Sequence, residues 1–146
     1  MTDKIAPQAQ LFMDHIPYSG ALGMQMTHAS DGKAEIQMAY DPHFVGEPAS
    51  GVLHGGVVSA LIDTCCGTAV STHPEVSISV ATLGLRIAYL RKAEVGQTLR
   101  ARAECYHVTR SVAFVRAQAF DDDETLPVAT AAGSFALTGP AREGNT

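Results

Sequence analysis

The chain has 146 residues, a length that fits one domain and is enough to bury a core without disulfides or metals. It is 46% hydrophobic and only 17% charged, which excludes a disordered chain. The formal net charge is -5 and the ten basic residues are scattered, so neither nucleic acid nor an anionic membrane is expected as a partner.

Residues 1 to 6 are expected to be loose. Pro7 suits the first turn of a helix, and Leu11, Phe12 and Ile16 share one face, with Pro17 and Gly20 ending it. Leu22 to Ala29 and Ala34 to Tyr40 read as strands joined by an Asp31-Gly32 turn. In the second, Ala34, Ile36 and Met38 alternate with polar residues, so one face is buried. Pro42, Gly46, Pro48 and Gly51 make the next stretch a long loop, and such loops are often functional.

An apolar run from Val57 to Val70 then reads as a buried helix, stopped by His73-Pro74. Its main stripe is Val58, Leu61, Ile62, Cys65 and Ala69; the opposite strip holds Gly56, Ser59, Asp63 and Gly67. Asp63 within this run argues against a membrane span. Cys65 and Cys66 are adjacent on the helix, a poor geometry for a disulfide. With Cys105 they read as reduced thiols, and with no visible signal peptide the expected location is cytoplasmic.

Ser77 to Leu90 is a long strand whose apolar parity switches, from Ile78 and Val80 to Leu83, Leu85, Ile87 and Tyr89. A bulge near Ala81 or Thr82 explains the switch and could aim Thr82 into a site; sheet twist or two-sided burial explains it equally. After a turn at Glu94 to Gln97, Thr98 to Val108 alternates again, with Leu99, Ala101, Ala103 and Cys105 inward. Val112 to Phe120 and Leu126 to Leu137 complete the strands, separated by a solvated acidic turn at 121–124. The small residues of the last strand would let a helix lie close, and the tail from Gly139 is expected to be disordered. Consecutive hairpins around one helix give an α+β fold, an antiparallel sheet curling around that helix.

The chemistry centres on Gly51-Val-Leu-His54-Gly55-Gly56 and Asp63. Glycines at a helix start leave backbone amides open to a ligand, and the dipole favours a developing anion. That is the physical form of an oxyanion hole. The bland alternative is a loop turn in which His54 is simply hydrogen-bonded. A carboxylate on a buried helix must be paired, hydrogen-bonded or open to a pocket, so Asp63 is either an ion-pair partner or a functional group. Asp63 follows Gly56 by seven residues, about 10 Å at ~1.5 Å per residue. One copy therefore cannot easily bring both to one small carbonyl, but antiparallel helices of a two-fold dimer could. The histidines lack metal-ligand spacing, so no metal is expected.

These residues resemble a known family. Gly51-Val-Leu-His-Gly-Gly-Val-Val-Ser-Ala-Leu-Ile-Asp63, Thr82-Leu-Gly-Leu-Arg-Ile-Ala-Tyr89-Leu-Arg91 and Val128-Ala-Thr-Ala-Ala-Gly-Ser-Phe135 are similar to the hotdog-fold acyl-CoA thioesterases of the phenylacetate-pathway, PaaI-like branch. The resemblance covers about residues 11–138 and implies a single hotdog domain over residues 1–146. It implies a sheet wrapped around one long central helix, homodimers joined edge to edge and often dimers of dimers. Asp63 becomes general base or nucleophile, the Gly55 amide polarises the thioester carbonyl, His54 orients the site and Thr82 holds the attacking water. The substrate is an acyl- or aryl-CoA, CoA entering as part of it, with no separate cofactor. Gly56 would border the substrate. Arg91, Lys92 and Arg110 could meet CoA phosphates, although each also reads as a solvated charge. Many members carry an Asn six residues before the His. Pro48 stands there in this chain, with Glu47 as the candidate replacement. This departure keeps open a non-catalytic acyl-CoA-binding protein as the alternative. Phe44, Val45 and Tyr89 are candidates for shaping the acyl pocket.

Overall fold

The computed structural model describes residues 4–141. Helix α1 (Pro7–Asp14) leads into a second short helix, α2 (Pro17–Ala21). Pro17 therefore starts a helix instead of only ending one. A proline lacks the N–H that a first-turn position leaves unbonded anyway, so it suits either reading. Residues 4–6 are not loose. Ala29 donates its N–H to Lys4 C=O and accepts from the Ala6 N–H, both at 2.7 Å, so this segment runs beside β1.

Strands β1 (Met24–Ser30) and β2 (Lys33–Met38) form a hairpin. Its turn residues Asp31 and Gly32 both have positive φ, 52° and 81°, the geometry that matches strand twist. The long loop has structure of its own: a 3₁₀ turn at Pro42–Phe44, then β3 (Val45–Glu47) paired with β4 (Val52–Leu53). This small hairpin delivers the chain to α3 (Gly55–Thr72), which extends about 27 Å at ~1.5 Å per residue. The helix stops because His73 precedes Pro74 and takes the extended conformation such residues favour.

Four antiparallel strands follow: β5 (Ile78–Tyr89), β6 (Leu99–Val108), β7 (Val112–Phe120) and β8 (Ala129–Ala141). The six-stranded sheet has the order β1-β2-β6-β7-β8-β5, so β5 is an edge strand. The last strand starts at Ala129 and continues through Gly139 to Ala141, beyond the expected end; residues 142–146 of the tail lie outside the described residues. The acidic turn is not wholly solvated, since Asp121 is only 1% exposed.

Helix α3 lies on the concave face. Val58, Leu61, Ile62, Cys65 and Ala69 are all buried, and Cys65 Sγ sits 3.4 Å from the carbonyls of Ala34 in β2 and Ala101 in β6. Alanines at 101, 103, 113, 117, 119, 129 and 131 line the buried face of β6, β7 and β8. Their shortness allows the helix to approach the strands. An antiparallel sheet wrapped around one long helix is the architecture the resemblance implies.

The pairing of β5 with β8 slips between Thr82 and Gly84, leaving Leu83 as the extra residue, 60% exposed. Gly133 is the glycine that this close pairing requires. A Cβ there would stand 2.8 Å from the Gly84 carbonyl oxygen and 2.9 Å from Leu85 Cδ1. Gly133→Ala is expected to cost about 1–3 kcal/mol, read as a lower urea midpoint.

Candidate active site

Asp63 is half-buried on α3 and faces β5. Its Oδ1 accepts a hydrogen bond from Thr82 Oγ1 at 2.9 Å. The bulge explains the aim: with Leu83 displaced outward, Thr82 turns toward the helix. The two residues are nineteen apart in sequence, and only the fold joins them. Among the described residues, no arginine or lysine forms an ion pair with Asp63.

Nearby thiols are inert. Burial, with the Asp63 charge adding to it, pushes the Cys66 thiol up to about 12. Burial also raises Cys65 well above its ordinary value. Neither supplies a thiolate at neutral pH.

The start of α3 is built by three contacts. His54 is the N-cap, and its Nδ1 accepts from the Gly56 N–H at 2.8 Å. The Tyr89 hydroxyl, at the end of β5, donates to the Gly55 carbonyl at 3.0 Å. Gly46 of β3 passes so close that a Cβ on it would stand 2.8 Å from His54 Cα. The Gly55 N–H meets no acceptor among the described residues. It lies at the positive end of an 18-residue helix dipole.

A cleft of about 400 Å³ opens beside this helix start, lined by Val52, Leu53, Gly55, Val58, Tyr89 and Leu90 among others. Of the three pocket candidates only Tyr89 borders it; Phe44 instead packs against the core, and Val45 is half-buried in β3. A larger hollow of about 530 Å³ lies on the outer sheet face among Arg102, Glu104 and Arg116 and contains none of the expected site residues.

The basic residues separate. Lys92 borders the cleft and ion-pairs Glu47 at 3.1 Å, and this contact holds the Glu47 carboxyl below its usual range. Pro48, at the position of the family's Asn, is exposed in the turn after β3. Arg91 also borders the cleft, but its guanidinium is engaged: its two terminal nitrogens grip Asp121 at 2.6 and 2.7 Å, and it also donates to the Leu126 carbonyl. Nothing in the spacing of Arg91 and Asp121 signalled this pair. Arg110 sits in the β6–β7 connection. That connection adjoins Leu137, which pairs with Val80, at the far end of β5 from Tyr89.

Within one chain, then, two half-sites lie along β5: Asp63 with Thr82, and His54, Gly55, Gly56 with Tyr89. The first holds a carboxylate; the second holds an open amide. Together they could bind a carbonyl oxygen and activate a water beside it.

A family model described as the thioesterase superfamily matches residues 50–128. The medium/long-chain acyl-CoA thioesterase YigI of Escherichia coli is 27% identical over 139 residues, covering 86% of this chain and 88% of that protein. A thioesterase family protein from Silicibacter pomeroyi superposes with a TM-score of 0.81 at 29% identity, over 90% of this chain and 97% of that one. The Escherichia coli PaaI protein from the phenylacetic acid degradation operon superposes with a TM-score of 0.82 at 20% identity, over 91% and 92% of the two chains, and so shares the fold.

Proposed function

The chain belongs to the thioesterase superfamily, and from that membership we propose that it hydrolyses an acyl- or aryl-CoA thioester to the free acid and CoA. The observation that carries the reading is the Asp63–Thr82 contact, a carboxylate and a hydroxyl 2.9 Å apart at an accessible edge. Asp63 either takes a proton from water as that water attacks the thioester carbon and the CoA thiolate leaves, or attacks the carbon itself, expelling the CoA thiolate and forming an acyl–Asp63 anhydride that water then hydrolyses to the free acid. Thr82 holds the water or keeps the carboxylate aimed. The Gly55 amide, reinforced by the dipole of α3, receives the oxyanion. His54 orients the thioester, and Gly56, having no side chain, leaves room for it.

The YigI relative is named for medium- and long-chain acyl-CoA. The mainly apolar cleft beside Gly55 supports an apolar acyl group here too. Lys92, at its rim, is the cation best placed for a CoA phosphate, with Glu47 as its resting partner. Arg91 is less available because Asp121 holds it. CoA enters as part of the substrate, and no other cofactor is needed. The three cysteines, buried and unpaired, suit a reducing compartment such as the cytosol. No helix among the described residues is long and apolar enough to cross a membrane.

The working site is shared between two copies. From Gly55 to Asp63 is about 12 Å along the helix at ~1.5 Å per residue, too far for one small carbonyl. Strand β5 offers the remedy, being twelve residues long with one side unpaired among the described residues. Antiparallel pairing of two β5 edges, centred near Leu85, sets Thr82 and Asp63 opposite Tyr89 and Gly55 of the partner subunit. The same operation carries Arg110 of the partner subunit toward the Lys92 end. A fully active monomer in sedimentation would overturn this arrangement.

The test is thiol release over a panel of acyl- and aryl-CoA substrates. Turnover supports the proposal; tight acyl-CoA binding without turnover favours the binding-protein alternative that Pro48 keeps open. Thr82→Val is expected to lower kcat about 10- to 100-fold, the worth of a hydrogen bond to a charged group, with KM little changed.

A further inference from the structure

One peptide unit at the start of α3 is held at both ends. Its carbonyl, that of Gly55, accepts from the Tyr89 hydroxyl at 3.0 Å. Its N–H, that of Gly56, donates to His54 Nδ1 at 2.8 Å. We propose that Tyr89 is a positioning residue that acts through this peptide to hold His54 as the Nε2–H tautomer, so that His54 meets the substrate as a hydrogen-bond donor and not as a base.

The donor to Nδ1 is a backbone amide, which has no alternative proton position. A neutral imidazole whose Nδ1 accepts must carry its proton on Nε2. His54 is exposed, so its Nε2–H is open to a ligand. Tyr89 adds to this in two ways. Its hydroxyl fixes the orientation of the peptide plane, and by donating to the carbonyl it polarises the amide and strengthens the N–H as a donor. Tyr89 is well sited to do so because it terminates β5, while α3 begins 34 residues earlier in the sequence; the bond ties strand to helix. Gly56 is part of the same device. A Cβ there would stand 2.9 Å from Nδ1 and 3.2 Å from Cε1, so any side chain would displace the ring. A donor at this place strengthens the polarisation of the carbonyl oxygen, or stabilises the departing CoA thiolate, without giving up a proton to the bulk.

The catalytic part of this inference rests on the thioesterase reading above; the tautomer does not. Nitrogen-15 NMR of histidine-labelled free protein is expected to show His54 with Nε2 protonated, and Tyr89→Phe is expected to lower the fraction of that tautomer. In kinetics, Tyr89→Phe is expected to reduce kcat about fivefold with unchanged thermal stability. His54→Gln, which can place an amide donor near the Nε2 position, should keep more activity than His54→Asn, which can keep the cap but lacks that donor. In the His54→Gln background, Tyr89→Phe should cost less than twofold, because residues acting through one another are not additive. An Nδ1–H tautomer in the wild type, or additive losses in the double variant, would overturn the proposal. If no acyl-CoA is turned over, the function proposed above falls, and NMR still decides the tautomer.

Discussion

Asp63→Asn is expected to lower kcat for thioester hydrolysis by about two to four orders of magnitude, the range associated with losing a positioned general base. The substitution is nearly isosteric. The amide oxygen of the substituted side chain can still accept from Thr82 Oγ1, so the 2.9 Å contact and the bulge that aims it should persist. What disappears is the negative charge that draws a proton from water or attacks carbon. If the acyl group binds against the Gly55 half-site, as proposed, KM should change little, which would mark the loss as one of transition-state stabilisation. Wild-type kcat in this variant would remove Asp63 from the mechanism. Single turnover in ¹⁸O-water separates the two roles. Label appearing in Asp63 can arise only from an acyl–Asp63 anhydride that water opens at the Asp63 carboxyl carbon, and so marks a nucleophile; a base leaves the label in the released acid.

The second large effect is structural. Asp121→Ala is expected to destabilise the fold by about 3 kcal/mol, the low end of the cost of stripping one partner from a buried ion pair. Asp121 is 1% exposed and accepts from both terminal nitrogens of Arg91 and from the Glu94 and Asp123 N–H groups. Arg91 in turn donates to the Leu126 carbonyl, so the pair ties the end of β5 to the β7–β8 connection. The Arg91 guanidinium, with the backbone donors, holds the Asp121 carboxyl well below the usual carboxylate range, against the opposing effect of burial. A carboxylate depressed in the folded state contributes stability above its unfolded value, about 3.9, and loses it as the pH falls toward the folded value. The gap between wild type and Asp121→Ala in urea unfolding should therefore be constant from about pH 5 upward and shrink in acid. The Lys92–Glu47 pair should behave differently. Its side chains are 71% and 52% exposed, so its removal should leave stability almost unchanged.

These two carboxylates show how far residue types alone can be read. Asp63 stood out because it interrupts an apolar helix, where a charge needs a reason. Asp121 lies in the run Asp121-Asp-Asp-Glu124, where four acids look alike. Only packing picks out the first, by bringing Arg91 to it from thirty residues away. The helix stripe, the hairpin turn at Asp31-Gly32 and the alternation in β2 and β6 were legible because each depends on neighbours within a few residues. Pro17 was ambiguous because the same missing N–H ends one helix and begins another.

The sequence by itself determined the central helix, its glycine-rich start, the carboxylate on it and the parity switch that marks the β5 bulge. Local periodicity and backbone stereochemistry fix these, and they act at short range. Only the tertiary structure decided that Thr82 reaches Asp63, that Tyr89 anchors the Gly55 carbonyl, and that Arg91 is taken by Asp121. Those contacts join residues 19 to 34 positions apart. Their geometry depends on strand register and on how closely an alanine-lined sheet lets the helix approach, and no short stretch of sequence carries that information.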